Sequence, residues 1–400
     1  MTFGSRKAIA AAAATALLWI ATVTFVAAQA PKPAAPAPKP AAATPAPKPA
    51  AGAQNQMMAE QVFKNVTVLK GIPVDEFMGT MGVFSASLGI SCEDCHTGGS
   101  NNWARYAEDV SPRKMMARQM TVMMTTINKQ FFGGRQVVTC YSCHRGSLRP
   151  RVTPSLVQLY ASVQPDELDV LLPPAPPDTP TPAQIIEKYT KAVGAGAAKL
   201  TSITAKGSYT GYGPEGFPRP FELYAKAPNQ KALIVRDKEA GDSISVFNGT
   251  AAWVSAPFRP VPVLEYHGQE LDSARADAEF MFPANVTVKG LTNLRSSIDF
   301  INDRTVLAVQ GNKGGALVTM YFDEETGLMT RLVRSTGSPV GRLPIQTDFS
   351  DFRDVNGVKL PFKWTTTWLD GRANYEATEV QVNQAVDNAR FARPAPAKPY

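Results

Sequence analysis

Two copies of one pentapeptide constrain this chain of 400 residues more than any other feature. Cys92, Cys95 and His96 form the first Cys-x-x-Cys-His copy, and Cys140, Cys143 and His144 form the second. Together they use all 4 cysteines and two of the 3 histidines. Two thiols at this spacing lie on one face of a helical turn and can bond to both vinyl groups of haem, and the adjacent imidazole can then bind the iron. The repeat therefore predicts two covalently attached haem c groups.

Three other kinds of site use closely spaced cysteines. Redox-active dithiols share the Cys-x-x-Cys spacing, but they occur in a strand–helix context that is absent here. Two such pairs can form a tetrahedral zinc site, and two disulfides can form in an oxidising compartment. Neither arrangement requires a histidine directly after the second cysteine of each pair, so haem attachment is the favoured interpretation.

A helical pattern with an apolar, methionine-containing stripe precedes each pentapeptide. The first pattern opens at Pro73 and can end at Gly89, and its stripe consists of Phe77, Met81, Phe84 and Leu88. The second opens with Ser111 and Pro112, and its stripe consists of Met116, Met120, Met123 and Ile127. A helix, a turn and a haem-binding helix would thus occur twice.

Methionine is the natural sixth iron ligand in this chain. The third histidine, His267, lies far along the sequence and is expected to be an ordinary residue. Periodicity does not choose the ligand, because several methionines are close enough to each motif. The candidates are Met78 and Met81 for the first haem, and Met116, Met120, Met123 and Met124 for the second.

Composition divides the chain into domains and spacers. Arg6 and Lys7 precede an apolar run over residues 8–26, which predicts a signal peptide and export to the periplasm. Left uncleaved, the same run would tether the chain to a membrane. The predicted segments are a signal peptide at 1–28, a Pro/Ala/Lys-rich linker at 29–55, a dihaem cytochrome c domain at 56–160, a Pro-rich linker at 161–182, a larger domain at 183–392 and a tail at 393–400.

The haem-binding segment resembles the cytochrome subunit of photosynthetic reaction centres. The resembling strings run from Val62 to Met81, from Ala117 to Asn128, and from Val138 to Gly146. The resemblance covers the amino-terminal half of that family and implies that Met81 and Met120 are the axial ligands. Classical members carry four haems, whereas this chain has motifs for two. The position of a further histidine ligand in the family falls near Gly134 here, which is consistent with a missing haem.

The larger domain has one amino-terminal helix followed by strands. Thr181, Pro182 and Gln184 form a capping box with proline at the first helical position. An apolar face follows at Ile185, Ile186, Tyr189 and Val193. Hairpin signals then occur at residues 248–249, 314–315, 356–357 and 370–371, with a further strand–turn–strand pattern over 321–328.

This layout resembles the lipoprotein-carrier-like (LolA-like) half-barrel family. The resembling strings lie at 247–250, 321–327 and 354–361. The resemblance implies an antiparallel half-barrel with an amino-terminal helix, whose concave face can hold a hydrophobic ligand. The fold class expected for the whole chain is therefore multidomain, with a mainly-α dihaem domain followed by a β-rich half-barrel.

These features favour an exported dihaem c-type cytochrome that transfers single electrons to and from redox partner proteins, such as a membrane-bound electron-transfer complex. Methionine ligation would fill both axial positions of each iron, which disfavours peroxidase-type enzyme activity. The net charge of +7 is spread along the chain without a Lys/Arg run, so nucleic acid is not expected as a partner. The alternative is a carrier or sensor of a hydrophobic ligand whose haem domain reports redox state.

Overall fold

A computed structural model of the chain describes residues 56–99, 102–150, 152–153, 172, 175–211, 217–257 and 259–397. The predicted signal peptide at 1–28 and linker at 29–55 lie outside the described residues, as does most of the linker at 161–182. Among the helices of the described residues, none has both the length and the apolar character needed to span a bilayer.

The amino-terminal part of the described chain contains short and long helices. They are α1 (Ala59–Val62), α2 (Val74–Leu88), α3 (Pro112–Phe131) and α4 (Cys140–His144), with 3₁₀ turns at Cys92–Asp94 and Trp103–Ala107. The predicted limits of α2 are confirmed, because Pro73 is its N-cap and Gly89 ends it in the left-handed conformation with φ of 63°. Ser111 and Pro112 begin α3 as predicted.

A large antiparallel sheet forms the rest of the described chain. Helix α5 (Pro182–Val193) precedes it, and α6 (Gly268–Glu279) interrupts it. The strands are β1 (Ser202–Gly211), β2 (Arg219–Lys226), β3 (Gln230–Val235), β4 (Ser243–Phe247), β5 (Ala252–Ser255), β6 (Val263–Tyr266), β7 (Thr292–Ile301), β8 (Arg304–Lys313), β9 (Ala316–Asp323), β10 (Met329–Ser338), β11 (Gly341–Val355), β12 (Val358–Trp368) and β13 (Gly371–Val382).

The strand order joins two meanders into one sheet. Strands β1 to β6 pair in sequence, strands β7 to β13 do the same, and β1 pairs antiparallel with β13 at the centre. The described sheet therefore has β6 and β7 at its two edges. The predicted hairpins are confirmed, because each predicted turn joins two neighbouring strands, as Asn248–Gly249 does between β4 and β5.

Two helices lie against one face of this sheet. Helix α6 follows edge strand β6, precedes the opposite edge strand β7, and contacts strands from both halves of the sheet, including β4 and β9. Strands so distant in the order can touch one helix only if the sheet curves around it, which makes the sheet a half-barrel. Sequence reasoning missed α6. The predicted apolar face of α5 is confirmed, because Ile185, Ile186, Tyr189 and Val193 are buried.

The tips of two hairpins on the half-barrel pack against the amino-terminal helices. Leu343, just beyond the β10–β11 tip, and Val340 within that tip share a buried cluster with Val83 of α2 and Met124 of α3. Leu369, in the β12–β13 turn, is partly buried against the same cluster. Helix α2 therefore packs against the half-barrel, and its carboxyl end leads into the first Cys-x-x-Cys-His motif.

Candidate functional site

A hydrogen-bonded cap fixes the backbone of the first motif. The backbone N–H of Ser91 donates to Oδ2 of Asp94 at 2.9 Å, and the Ser91 hydroxyl reaches the same oxygen at 3.0 Å. Asp94 is the second variable residue of the motif, so the cap closes the turn that contains Cys92 and Cys95. A single 3₁₀ turn, Cys92–Asp94, stands where the sequence predicts a haem-binding helix. Glycines with positive φ at positions 98 and 99 follow closely and leave no room for a longer helix.

The imidazole of His96 is oriented by a backbone carbonyl. Its Nδ1 lies 2.9 Å from the carbonyl oxygen of Tyr106, and its ring stacks on the Tyr106 ring with centroids 4.5 Å apart. Because a carbonyl only accepts, Nδ1 must carry the proton, which leaves the lone pair on Nε2 for a metal. Burial lowers the pKa of His96 and so favours the neutral form that binds iron.

A cavity of about 850 Å³ lies beside the first motif. Cys92, Cys95 and His96 line it, and both Met78 and Met81 of α2 line it as well. Further apolar walls come from Phe77, Phe84, Leu88, Leu343, Ile345 and Trp368. The structure thus brings the first cysteine pair, its histidine and the sulfur-bearing side chains of α2 around one largely apolar space, which suits a porphyrin.

A second cap fixes the second motif. The backbone N–H of Ser142 donates to Oγ1 of Thr139, and the backbone N–H of Thr139 donates to Oγ of Ser142 at 3.0 Å. Here a short α-helix forms as predicted, and Arg145 ends it with φ of 48°. Ser142 occupies the same place in its motif as Asp94 in the first, so both motifs use their second variable residue as a cap.

The second histidine is oriented in the same way as the first. Nδ1 of His144 lies 3.1 Å from the carbonyl oxygen of Ser147. This again assigns the proton to Nδ1 and leaves Nε2 as the metal donor. The same arrangement therefore occurs at both histidines, although one carbonyl belongs to the 3₁₀ turn Trp103–Ala107 and the other to the loop after α4.

The methionines of α3 fall on two faces. Met124 is buried in the cluster that also holds Val83 and Leu343, so it serves as packing. Met116 and Met123 are 52% and 46% exposed, and Met120 is half-buried on the stripe between them. The exposed methionines form an open apolar stripe on α3, the arrangement expected where a large flat group covers a helix.

Helix α2 also contacts the second motif. The backbone N–H of Gly146 donates to the carbonyl of Ser87 at 3.0 Å, and a Cβ on Gly89 would lie 2.3 Å from the Gly146 carbonyl oxygen. Only glycine permits that approach, and its positive φ is also the one that ends the helix. The carboxyl end of α2 is therefore locked to the loop after α4, which makes the two motifs neighbours of one helix.

Three of the four thiols differ from those of a reactive dithiol. Burial raises the pKa of Cys92 and Cys95 and raises that of Cys140 to about 11, whereas reactive dithiols have a lowered pKa. Throughout the described ranges, no three His, Cys, Asp or Glu side chains converge as a metal-binding group. All four cysteines are free thiols in this structure.

Sequence reasoning missed the residues that support the two motifs. Tyr106 acts through its backbone carbonyl, which carries no sequence signal. Asn128 is buried and accepts from the backbone N–H groups of Val137 and Val138 at 3.1 and 2.9 Å, which fixes the loop that leads to Cys140. A polar residue at a buried position of the α3 pattern was the one available signal. His267 donates only its backbone N–H, to Asp75 at 2.8 Å.

Comparisons with known proteins cover the same segment. Residues 21–159 match the family described as photosynthetic reaction centre cytochrome C subunit. The chain is 34% identical over 97 residues to the photosynthetic reaction center cytochrome c subunit of Rubrivivax gelatinosus, covering 23% of this chain and 25% of that protein. It is 35% identical over 97 residues to the subunit of Thermochromatium tepidum, covering 23% of each. The predicted resemblance is confirmed, and the chain spans about a quarter of the length of these relatives.

Solved structures resemble the β-rich part. A LolA superfamily protein from Nitrosomonas europaea aligns with a TM-score of 0.36 and 11% identity, over 54% of this chain and 98% of that one. A DUF1329 family protein from Desulfovibrio piger aligns with a TM-score of 0.37 and 9% identity, over 53% and 98%. The description as a half-barrel rests on the strand order and on the position of α6.

Proposed function

We propose that the chain is an exported carrier of single electrons, with a mainly α-helical dihaem c-type cytochrome domain at 56–160 and a half-barrel domain at 183–392. Cys92 and Cys95 would attach the first haem, with His96 and Met81 as iron ligands. Cys140 and Cys143 would attach the second, with His144 and Met120 as iron ligands.

The observation that carries this proposal is the matched orientation of the two histidines. In each, a backbone carbonyl accepts the proton of Nδ1, so Nε2 is the donor atom. Metal-binding histidines nearly always have such a second partner, because it fixes both the tautomer and the ring plane. Zinc, dithiol or disulfide chemistry at the cysteines would not require both adjacent histidines to be held in this way.

The positions of the methionines on helices α2 and α3 support the choice of Met81 and Met120. Met81 lies on the stripe of α2 with Phe77 and Phe84, and all three line the cavity beside His96. Met120 lies on the half-open stripe of α3, whereas Met124 is committed to the core. Met78 is partly buried with Val74 and Leu264 in a separate cluster. Met81 is partly buried with Phe77 and Phe84, which share its stripe, and the three residues line the cavity together.

Each part of the site has a physical role in such a carrier. When bound, haem supplies an iron centre that gains or loses one electron at a time. The cysteines would hold it covalently, the histidines and methionines would bind its iron, and the apolar cavity walls would limit the access of water to the first site. Histidine–methionine ligation raises the reduction potential, and filled axial positions leave no open site for peroxide, so we propose no enzyme activity.

Location and partners follow from the sequence. The basic residues Arg6 and Lys7 with the apolar run after them support export to the periplasm, where covalent attachment keeps haem on the protein. Donor and acceptor would be redox proteins, among them a membrane-bound electron-transfer complex. The alternative of a hydrophobic-ligand carrier has less support, since ion pairs fix α6 against the sheet, including Lys231 to Asp277 at 2.5 Å.

The test is a redox titration of the full chain, matured with the haem-attachment machinery and followed by optical spectroscopy. We expect two one-electron steps, low-spin spectra for both haems and no consumption of added peroxide. A high-spin haem that turns over peroxide would replace the carrier with an enzyme. A chain with no redox-active chromophore would contradict the proposal entirely.

A further inference from the structure

The hairpin between β10 and β11 makes a close contact with the helix that bears Met81. A Cβ placed on Gly79 would lie 2.8 Å from Cδ1 of Leu343, so the leucine packs directly on the backbone of α2. Leu343 itself is only 8% exposed. Gly79, Met81 and Leu343 all line the cavity beside His96, and Met81 packs against the buried cluster that contains Leu343. The leucine therefore supports α2 within one turn of Met81.

The same hairpin is held in register by the second motif. The backbone N–H of Cys140 donates to the carbonyl of Val340 at 3.2 Å, and Nε2 of Gln136 donates to the carbonyl of Ser338 at 2.8 Å. At the tip, a Cβ on Gly341 would lie 2.9 Å from Cγ1 of Val83, so this part of the hairpin also rests on α2. The hairpin tip next to Leu343 therefore contacts α2 on one side and the segment of the second motif on the other. These contacts keep Leu343 in place when α2 shifts.

We propose that Leu343 is a positioning residue for Met81: its contact with Gly79 fixes the distance of helix α2 from His96 and thereby the strength of the bond between sulfur and iron in the first haem. This inference rests on the proposed function, in which Met81 is an iron ligand. It gives the half-barrel a part in the redox chemistry, because one of its own strands sets the geometry of a haem ligand.

The contact can be opened and refilled. Leu343→Ala removes the atoms that touch Gly79, so α2 gains freedom to shift at the position of Met81. Adding Gly79→Ala places a methyl group in the emptied space. The matched control is Gly82→Ala, which gives α2 the same gain in helix propensity, but its Cβ would lie 3.7 Å from Leu369 Cβ and would leave the void unfilled.

The measurement uses the full haem-loaded chain, with the far-red charge-transfer band of methionine-ligated ferric haem and the two midpoint potentials as readouts. Leu343→Ala should lose up to half of that band and lower one of the two potentials. Leu343→Ala with Gly79→Ala should recover both, and Leu343→Ala with Gly82→Ala should not. Leu332→Ala, a buried leucine 2% exposed in the core under α5, should leave both readouts unchanged.

The possible results distinguish a failure of this inference from a failure of the proposed function. If Leu343→Ala carries two haems and matches Leu332→Ala in band and potentials, Leu343 does not position Met81 and the inference is wrong. Equal recovery by Gly79→Ala and Gly82→Ala would also contradict it, since helix propensity alone would then explain the effect. Should Leu343→Ala fail to fold, Leu343→Val is expected to give a smaller shift in the same direction. A wild-type chain without haem would overturn the proposed function instead.

Discussion

The two Cys-x-x-Cys-His motifs have the same chemistry in different surroundings. The first is a 3₁₀ turn beside a cavity of about 850 Å³ to which the half-barrel contributes Leu343 and Trp368. The second is a short α-helix, and the α3 stripe that carries its candidate methionine ligand is open, with Met116 52% exposed. Both motifs carry the same cap and the same histidine anchor. On the proposed function, the pentapeptide would specify haem attachment, and the rest of the chain would specify how much water each haem meets.

This difference has an electrostatic consequence. An apolar surrounding disfavours the oxidised iron, because the oxidised haem carries one more positive charge than the reduced one. We therefore expect the haem at the first motif to have the higher midpoint potential of the two. Electrons entering at the more exposed second motif would then pass to the first.

The largest expected effect comes from removing one attachment site at a time. Replacing Cys92 and Cys95 by alanine, or Cys140 and Cys143 by alanine, should halve the haem content of the chain. The first change empties the cavity beside the first motif, so it should lower the free energy of unfolding by roughly 3–5 kcal/mol, the scale of removing a large group from a core. Replacing Cys140 and Cys143 should lower the free energy of unfolding by clearly less. Haem staining measures the haem content, and thermal unfolding measures the stability of the two variants. Equal losses of stability in both would contradict the proposed difference between the sites.

Two alanine substitutions on α3 test which methionine binds the iron of the second haem. Met120→Ala should open one iron, produce a high-spin signal and lower one midpoint potential. Met124→Ala should leave the spectrum unchanged and instead cost about 2–5 kcal/mol of stability, because its side chain is buried. Optical spectra together with denaturant unfolding distinguish the two. The reverse pattern would make Met124 the ligand and Met120 a packing residue.

The smallest expected effect concerns Glu76, a half-buried carboxylate of α2. Burial, together with the charges of Asp75 and Glu270, raises the pKa of Glu76 to about 7. From its ordinary value of 4.5 up to about 7, the folded chain then binds more protons than the unfolded one, so stability falls as pH rises through this window. Glu76→Gln should remove that fall and gain about 1 kcal/mol above it, a figure discounted for solvent screening.

A pH series of denaturant titrations tests this effect. Glu239→Gln is the matched control, because Glu239 is an exposed glutamate of the half-barrel. The control should keep the wild-type pH dependence. A Glu76→Gln curve parallel to that of wild type would show that the carboxyl group does not titrate in this window.

Local features of the structure were predictable from the sequence. Pro73 and Gly89 mark the ends of α2, and Asn248–Gly249 marks a hairpin, because each acts through its own backbone preferences. The contact between Gly79 and Leu343 was not predictable, since it joins segments far apart in the chain. The pairing of β1 with β13 and the bond from His96 to the Tyr106 carbonyl could not be predicted either. Both depend on backbone groups, which every residue has and which no sequence pattern distinguishes.

The most direct test is the intact mass of the denatured, mature chain together with its haem absorbance. We predict a mass equal to that of the processed polypeptide plus two haems. The colour should persist after unfolding, because thioether bonds would hold both groups. A chain that is colourless after unfolding and carries no porphyrin by mass, although produced with the haem-attachment machinery, would contradict it.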